Sequence, residues 1–139
     1  MGVRVRLRIR VSNLEVITSA LVNSGFESTE PELIIPPPLA DILRLTGSGV
    51  AEYRLVGGGG ASGLRVDEVL KVSLVLGDRD TDEVDAVGTV LPGEDEVIIS
   101  DRLASKLGIV IIDPYEGLWC LRDEVGRKVR RSAGMQLWR

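Results

Sequence analysis

Leu33-Ile34-Ile35-Pro36-Pro37-Pro38-Leu39-Ala40-Asp41-Ile42-Leu43-Arg44-Leu45 decides how this chain is read. Three aliphatic residues predict a short buried strand, Leu33 to Ile35. The prolines end it and open a helix over Leu39 to Leu45, because proline is tolerated in a helix's first turn. The pattern returns 64 residues later. Ile34, Ile35, Leu39, Ala40, Leu43 and Leu45 correspond to Ile98, Ile99, Leu103, Ala104, Leu107 and Ile109. Five of the six positions are identical. Each copy follows a strand with an Ala-aliphatic step, Ala20-Leu21-Val22 and Ala86-Val87. The match predicts an internal strand–strand–helix duplication, which bears on the whole fold.

Outside the repeat, Val3 to Val11 alternates apolar residues with Arg4, Arg6, Arg8 and Arg10, a half-buried strand. Further strands are expected at Leu14 to Val22, Val50 to Val56, Leu64 to Val69, Val72 to Leu76, Glu83 to Leu91, Val97 to Ile99, Ile109 to Ile112 and Leu118 to Leu121. Thr46 to Gly49 is expected to end the first helix. Ser100 or Asp101 caps the second, which Gly108 stops. A last strand is expected near Met135 to Trp138. Many short strands with two short helices predict a mostly-β protein with a closed or sandwiched sheet.

The 139 residues fit one domain, read as residues 1–121 with a C-terminal tail over 122–139. Hydrophobic residues are 44% but aromatics only 4%, so the core must be aliphatic. There is no His and one Cys. That excludes a Ser-His-Asp triad, a Cys-His pair, imidazole zinc ligation and a CxxC redox site. General acid–base chemistry falls to Asp, Glu, Lys or Tyr. No metal or cofactor pattern is present. The net charge of −4 argues against general nucleic-acid binding. No apolar run is long enough to span a bilayer, and arginines interrupt any leader-like segment at the N-terminus, so a cytoplasmic protein is expected.

Several features have two readings. The arginine row is a solvated face that guards a strand, or a stripe for an acidic partner or nucleic acid. Gly57, Gly58, Gly59, Gly60 and Gly63 lack the Lys-Ser/Thr and following helix of a phosphate loop. They form a hairpin tip. Asp78, Asp80 and Asp82 lack the rest of a calcium loop. Cys120 reads as a small buried hydrophobe. Asn23-Ser24-Gly25 is turn chemistry.

Ala20-Leu21-Val22-Asn23-Ser24-Gly25-Phe26 resembles the active-site signature of the retropepsin-like aspartic proteases: a hydrophobic strand, then Asp, Thr or Ser, and Gly. The ending in Phe is similar to small prokaryotic, largely archaeal, members. Leu33 to Leu45 resembles the family's next strand and helix, and Ile98 to Gly108 its second-half motif. The likeness runs from about Val3 to Leu121. Two positions depart from it: Asn23 stands where the family has its catalytic Asp, and Ser100 where it has Gly.

The resemblance implies an acid-protease barrel and an aspartic endopeptidase assembled as a homodimer on extended polypeptide. Each chain would supply one loop and one carboxyl to a shared dyad. Asn23 would hold the catalytic position, Ser24 would bond across to the partner loop, and Gly25 would approach the catalytic side chain. Phe26 would pack beneath the loop, and Gly57 to Gly60 would tip a substrate-covering flap. Val3 to Ile9 and Met135 to Trp138 are candidates for an intersubunit sheet. Asn cannot lose a proton at neutral pH, so this chain is expected to be inactive. Its Asn is an engineered replacement, the mark of a natural peptide-binding pseudo-protease, or a sign that another acid works: Asp41, Asp67, Asp85, Asp95 or Asp101. A non-catalytic peptide-binding module on the same fold, and a nucleic-acid-binding barrel using the arginine row, are the alternatives.

Overall fold

The alternation at the N-terminus becomes strand β1 (Val3–Val11), with Val3, Val5, Leu7, Ile9 and Val11 buried and the arginines turned outward. The computed structural model describes residues 2–54 and 58–139. Its further strands are β2 (Leu14–Val22), β3 (Glu32–Ile35), β4 (Gly47–Arg54), β5 (Gly60–Val66), β6 (Leu70–Leu74), β7 (Val84–Val90), β8 (Val97–Ile99), β9 (Ile109–Asp113), β10 (Leu118–Leu121) and β11 (Arg130–Arg131). Two short helices, α1 (Pro37–Ile42) and α2 (Asp101–Lys106), follow β3 and β8. No described helix is long and apolar enough to cross a membrane.

The protein is mostly β. β3, β8, β2, β1, β6 and β7 follow one another side by side, and β7 pairs back onto β3, closing a six-stranded barrel. Aliphatic side chains fill it: Leu7, Ile9, Leu33, Ile35, Leu70 and Ile99 are almost wholly buried. The β4–β5 hairpin extends from β7 through the Leu64–Val90 and Arg65–Thr89 pairs. Gly63 makes this join possible. A Cβ there would lie 2.6 Å from Thr89 Cγ2 and 2.8 Å from the Val90 carbonyl oxygen. A separate sheet runs β11-β10-β9.

The internal duplication is visible in the pairing. Ile34 and Ile98, equivalent positions in the two copies, face each other across antiparallel β3 and β8. A local twofold therefore passes between them. β2 runs parallel to β8, and β7 runs parallel to β3. Leu39 and Ala40 are buried on α1, and Leu103 and Ala104 on α2. Register corrects one detail. Ala20 sits beside Val97, and Gly88 sits beside Leu33, so Gly88 and not Ala86 matches Ala20. A two-residue slip keeps every side chain on its own face, so alternation alone cannot detect it.

Other boundaries also move. α1 ends at Ile42, and Gly47–Gly49 open β4 rather than ending the helix. Gly60–Gly63 belong to β5. Leu55 and Val56, read as the end of a strand, and Gly57 lie outside the described residues.

Residues 132–139 form no strand. The segment instead lies along its own barrel. Ala133 N–H donates to the Arg4 carbonyl at 2.9 Å, and Trp138 N–H to that of Asp95 at 2.7 Å. The Trp138 indole N–H reaches Thr18 Oγ1 at 3.0 Å. β1 in turn has β2 on one side and β6, then this segment, on the other. Among the described residues, Val3 to Ile9 is thus flanked on both sides within its own chain. The turn before the tail is pinned by Glu124, whose carboxylate receives Arg130 Nε at 2.9 Å and Nη2 at 2.7 Å. Asp78, from the acidic turn, pairs with Lys128 and Arg130.

Candidate functional site

Asn23 begins the loop that leaves β2. Its N–H donates to the Ile99 carbonyl at 3.3 Å, continuing the parallel pairing with β8 for one residue. The chain then turns tightly. Gly25 N–H donates to Asn23 Oδ1 at 3.0 Å, and Phe26 N–H donates to the Asn23 carbonyl at 3.0 Å. A Cβ on Gly25 would stand 3.3 Å from Asn23 Oδ1, a crowded distance. Glycine thus permits the approach. The loop is fastened to α2. Asp101 N–H donates to the Phe26 carbonyl at 2.9 Å, and Ser28 N–H to Asp101 Oδ1 at 3.2 Å. Asn23, Ser24 and Gly25 are exposed, and Phe26 is half-buried.

The local twofold gives this loop a counterpart. Leu91 N–H donates to the Ile35 carbonyl at 3.2 Å, and Glu94 N–H donates to that of Leu91 at 3.2 Å. Leu91-Pro92-Gly93-Glu94 therefore repeats the backbone course of Asn23-Ser24-Gly25-Phe26. A buried leucine stands where the first loop has Asn23. One chain offers one polar loop, and a pair of such side chains would need two chains.

The β4–β5 hairpin meets the loop through aromatic rings. Tyr53 packs edge-on against Phe26, with centroids 5.7 Å apart and planes at 79°. The Tyr53 hydroxyl donates to Glu32 Oε2. Glu32 is 3% exposed. Its carboxylate also receives Thr89 Oγ1 at 2.9 Å and Ser28 Oγ at 2.9 Å, with the Arg65 guanidinium at 3.6 Å. A buried carboxylate so supplied with donors is compensated for lost water. Burial, reinforced by the hydrogen bond to Glu32, pushes the Tyr53 hydroxyl up to about 12. It therefore keeps its proton, and its role as donor, at neutral pH.

Ser100 links this cluster to α2. Its hydroxyl accepts Leu103 N–H at 3.1 Å, capping the helix, and Glu32 N–H at 3.1 Å. Gly58, Gly59 and Gly60 are exposed, Gly58 has φ +93°, and Gly60 already pairs with Arg54 in the hairpin. Ser24 lines a small cleft with Val22, Asp101, Ala104, Ile109 and Arg122.

Glu32, Tyr53, Thr89, Ser28 and Arg65 were not predicted as a site. They come from four separate stretches of sequence. Glu32 was the only one with a local signal: an acid directly before three aliphatic residues whose strand is buried throughout. Chemically, the exposed loop can donate and accept hydrogen bonds through Asn23 and Ser24. A carboxamide cannot remove a proton from water. No protein-family model and no curated protein matches the chain.

Proposed function

We propose that this chain is a retropepsin-like aspartic peptidase domain whose catalytic carboxylate is replaced by Asn23, and that its dimer holds extended polypeptide without cleaving it. The observation that carries this reading is the turn itself. Asn23 Oδ1 receives the Gly25 N–H at 3.0 Å in an exposed loop whose backbone course is repeated by Leu91-Pro92-Gly93-Glu94. An aspartate in the same turn would present one oxygen to that N–H and the other to solvent or substrate. The N–H would favour its ionised form. Two such carboxyls facing each other across a dimer would share one proton, one activating water and the other protonating the scissile carbonyl. Asn23 removes both roles.

The arginine row gives less support to a nucleic-acid reading. Arg4 pairs with Glu96, Arg8 with Glu15 and Arg10 with Glu83. Those acids offset the charge that phosphates would otherwise meet. Cys120 is buried and free, which fits a cytoplasmic protein.

The test has two arms. Fluorescent, unfolded casein should bind the Asn23 chain and survive, and should be cut by the Asn23→Asp variant. Binding without cleavage by either protein would replace the peptidase reading with a peptide-binding module. No binding and no cleavage would remove both.

A further inference from the structure

We propose that a cleft between β1, the turn after β6, and β11 binds a small phosphate-bearing molecule, gripping its dianion between Arg6 and Arg131. This cleft shares no lining residue with the one beside Ser24, so the proposal is independent of the peptidase reading.

Arg4 to Arg6 form one wall, Val75 to Gly77 a second, and residues 128–131 with Ala133 the third. Backbone bonds tie the walls together. Val75 N–H donates to the Arg6 carbonyl at 2.9 Å, and Ala133 N–H to that of Arg4 at 2.9 Å. The cavity measures about 340 Å³, a size that suits a small ligand. Trp119, 3% exposed, also lines it. The indole N–H donates to the Arg131 carbonyl at 3.3 Å, and the Arg130 guanidinium lies 5.8 Å from the ring centroid. The backbone that carries Arg131 is therefore fixed. A Cβ on Gly77 would meet nothing within 4 Å, which leaves that wall open to an approaching ligand.

Charge decides the ligand. Five cations line the cleft. Arg4 pairs with Glu96, Lys128 with Asp78, and Arg130 with both Asp78 and Glu124. Those charges are neutralised within the chain. Arg6 and Arg131 are exposed, and among the described residues neither side chain has an acid or a hydrogen-bond partner. Two positive charges are thus left over in a protein whose net charge is −4. A guanidinium meets a phosphate through two parallel N–H donors, and two guanidinia match a dianion. Val75, Leu76 and Val129 offer apolar surface to an uncharged body attached to it. A polymer fits less well. Arg8 and Arg10, further along β1, are held by Glu15 and Glu83 and extend no track of unpaired charge.

Isothermal titration calorimetry of the full chain at low salt tests the site with two probes, inorganic phosphate and phenyl phosphate. The expected result is one site per chain. Tighter binding of phenyl phosphate identifies a phosphomonoester as the ligand, and equal or weaker binding identifies free phosphate. Arg6→Gln and Arg131→Gln should each weaken binding by roughly 10-fold, and the double variant by roughly 100-fold, with the urea midpoint unchanged. Arg10→Gln, outside the cleft, should leave binding as it is. Benzoate, with a single charge, should bind at least ~10-fold more weakly than phenyl phosphate. No heat with either phosphate, heat that the double variant leaves unchanged, or benzoate bound as tightly as phenyl phosphate overturns the proposal. An oligonucleotide that binds where phenyl phosphate does not also overturns it, in favour of a nucleic-acid surface.

Discussion

The hydroxyl of Tyr53 donates a hydrogen bond to the buried carboxylate of Glu32 and so ties the β4–β5 hairpin to the barrel wall. The same ring lies against Phe26. One residue therefore joins hairpin, barrel and loop. Tyr53→Phe keeps the ring contact and removes one donor from Glu32. A buried acceptor that loses a charge-assisted partner costs about 1–3 kcal/mol. Urea unfolding should show that loss, and limited proteolysis should cut faster within the hairpin, with the remaining barrel intact.

Stability should depend on pH at both extremes. Tyr53 titrates at about 12 in the folded protein, above the value of 10.0 for free tyrosine. As pH rises, the unfolded chain loses this proton first. The associated stability is complete below pH 10 and disappears between pH 10 and about 12. Tyr53→Phe should flatten that limb.

Glu124 behaves in the opposite sense. Its hydrogen bonds from Arg130 hold it at about 2, below the free value of 4.5. Here the unfolded chain takes up the proton first as pH falls. The contribution is complete above pH 4.5 and is lost toward pH 2. Glu124→Gln should reduce the acid limb of a plot of urea midpoint against pH. The other ion-paired carboxylates, Asp78, Asp123 and Glu83, keep the rest of it.

Gly63 is a steric requirement. Gly63→Ala drives a methyl into Thr89 and the Val90 carbonyl, and neither the strand backbone nor the β-branched side chain yields readily. Overpacking of this kind costs about 1–3 kcal/mol. The thermal midpoint should fall. Gly58→Ala should alter it less by contact, since a Cβ at Gly58 meets nothing within 4 Å. Any loss there comes from its positive φ.

The barrel was readable where the pattern was strong and local. β1 matches the alternating segment Val3 to Val11, and β2 the expected strand Leu14 to Val22, end for end. The two copies of the strand–helix repeat lie on opposite sides of a local twofold, and Ser100 caps α2 as its hydroxyl suggested. What stayed hidden depends on long-range pairing. Ala86 and Gly88 occupy one face, so only the partner strand distinguishes them. The tail over 132–139 carries apolar residues at strand-like spacing, yet its backbone bonds run to Arg4 and Asp95 instead of a new sheet. Glu32 opens β3. Its donors Tyr53, Thr89 and Arg65 come from strands brought beside it by closure of the barrel and docking of the hairpin. No spacing rule in the chain connects them.

Asn23 remains the decisive residue. The Asn23→Asp protein should be purified and incubated with unfolded casein from pH 3 to pH 7, beside the Asn23 chain. The expected result is cleavage with a bell-shaped pH dependence, at a rate at least ~10²–10⁴ above the Asn23 chain, because general acid–base catalysis has been restored. A folded, dimeric Asn23→Asp protein that leaves casein uncut across that range would contradict the reading of this loop as a disarmed aspartic peptidase site.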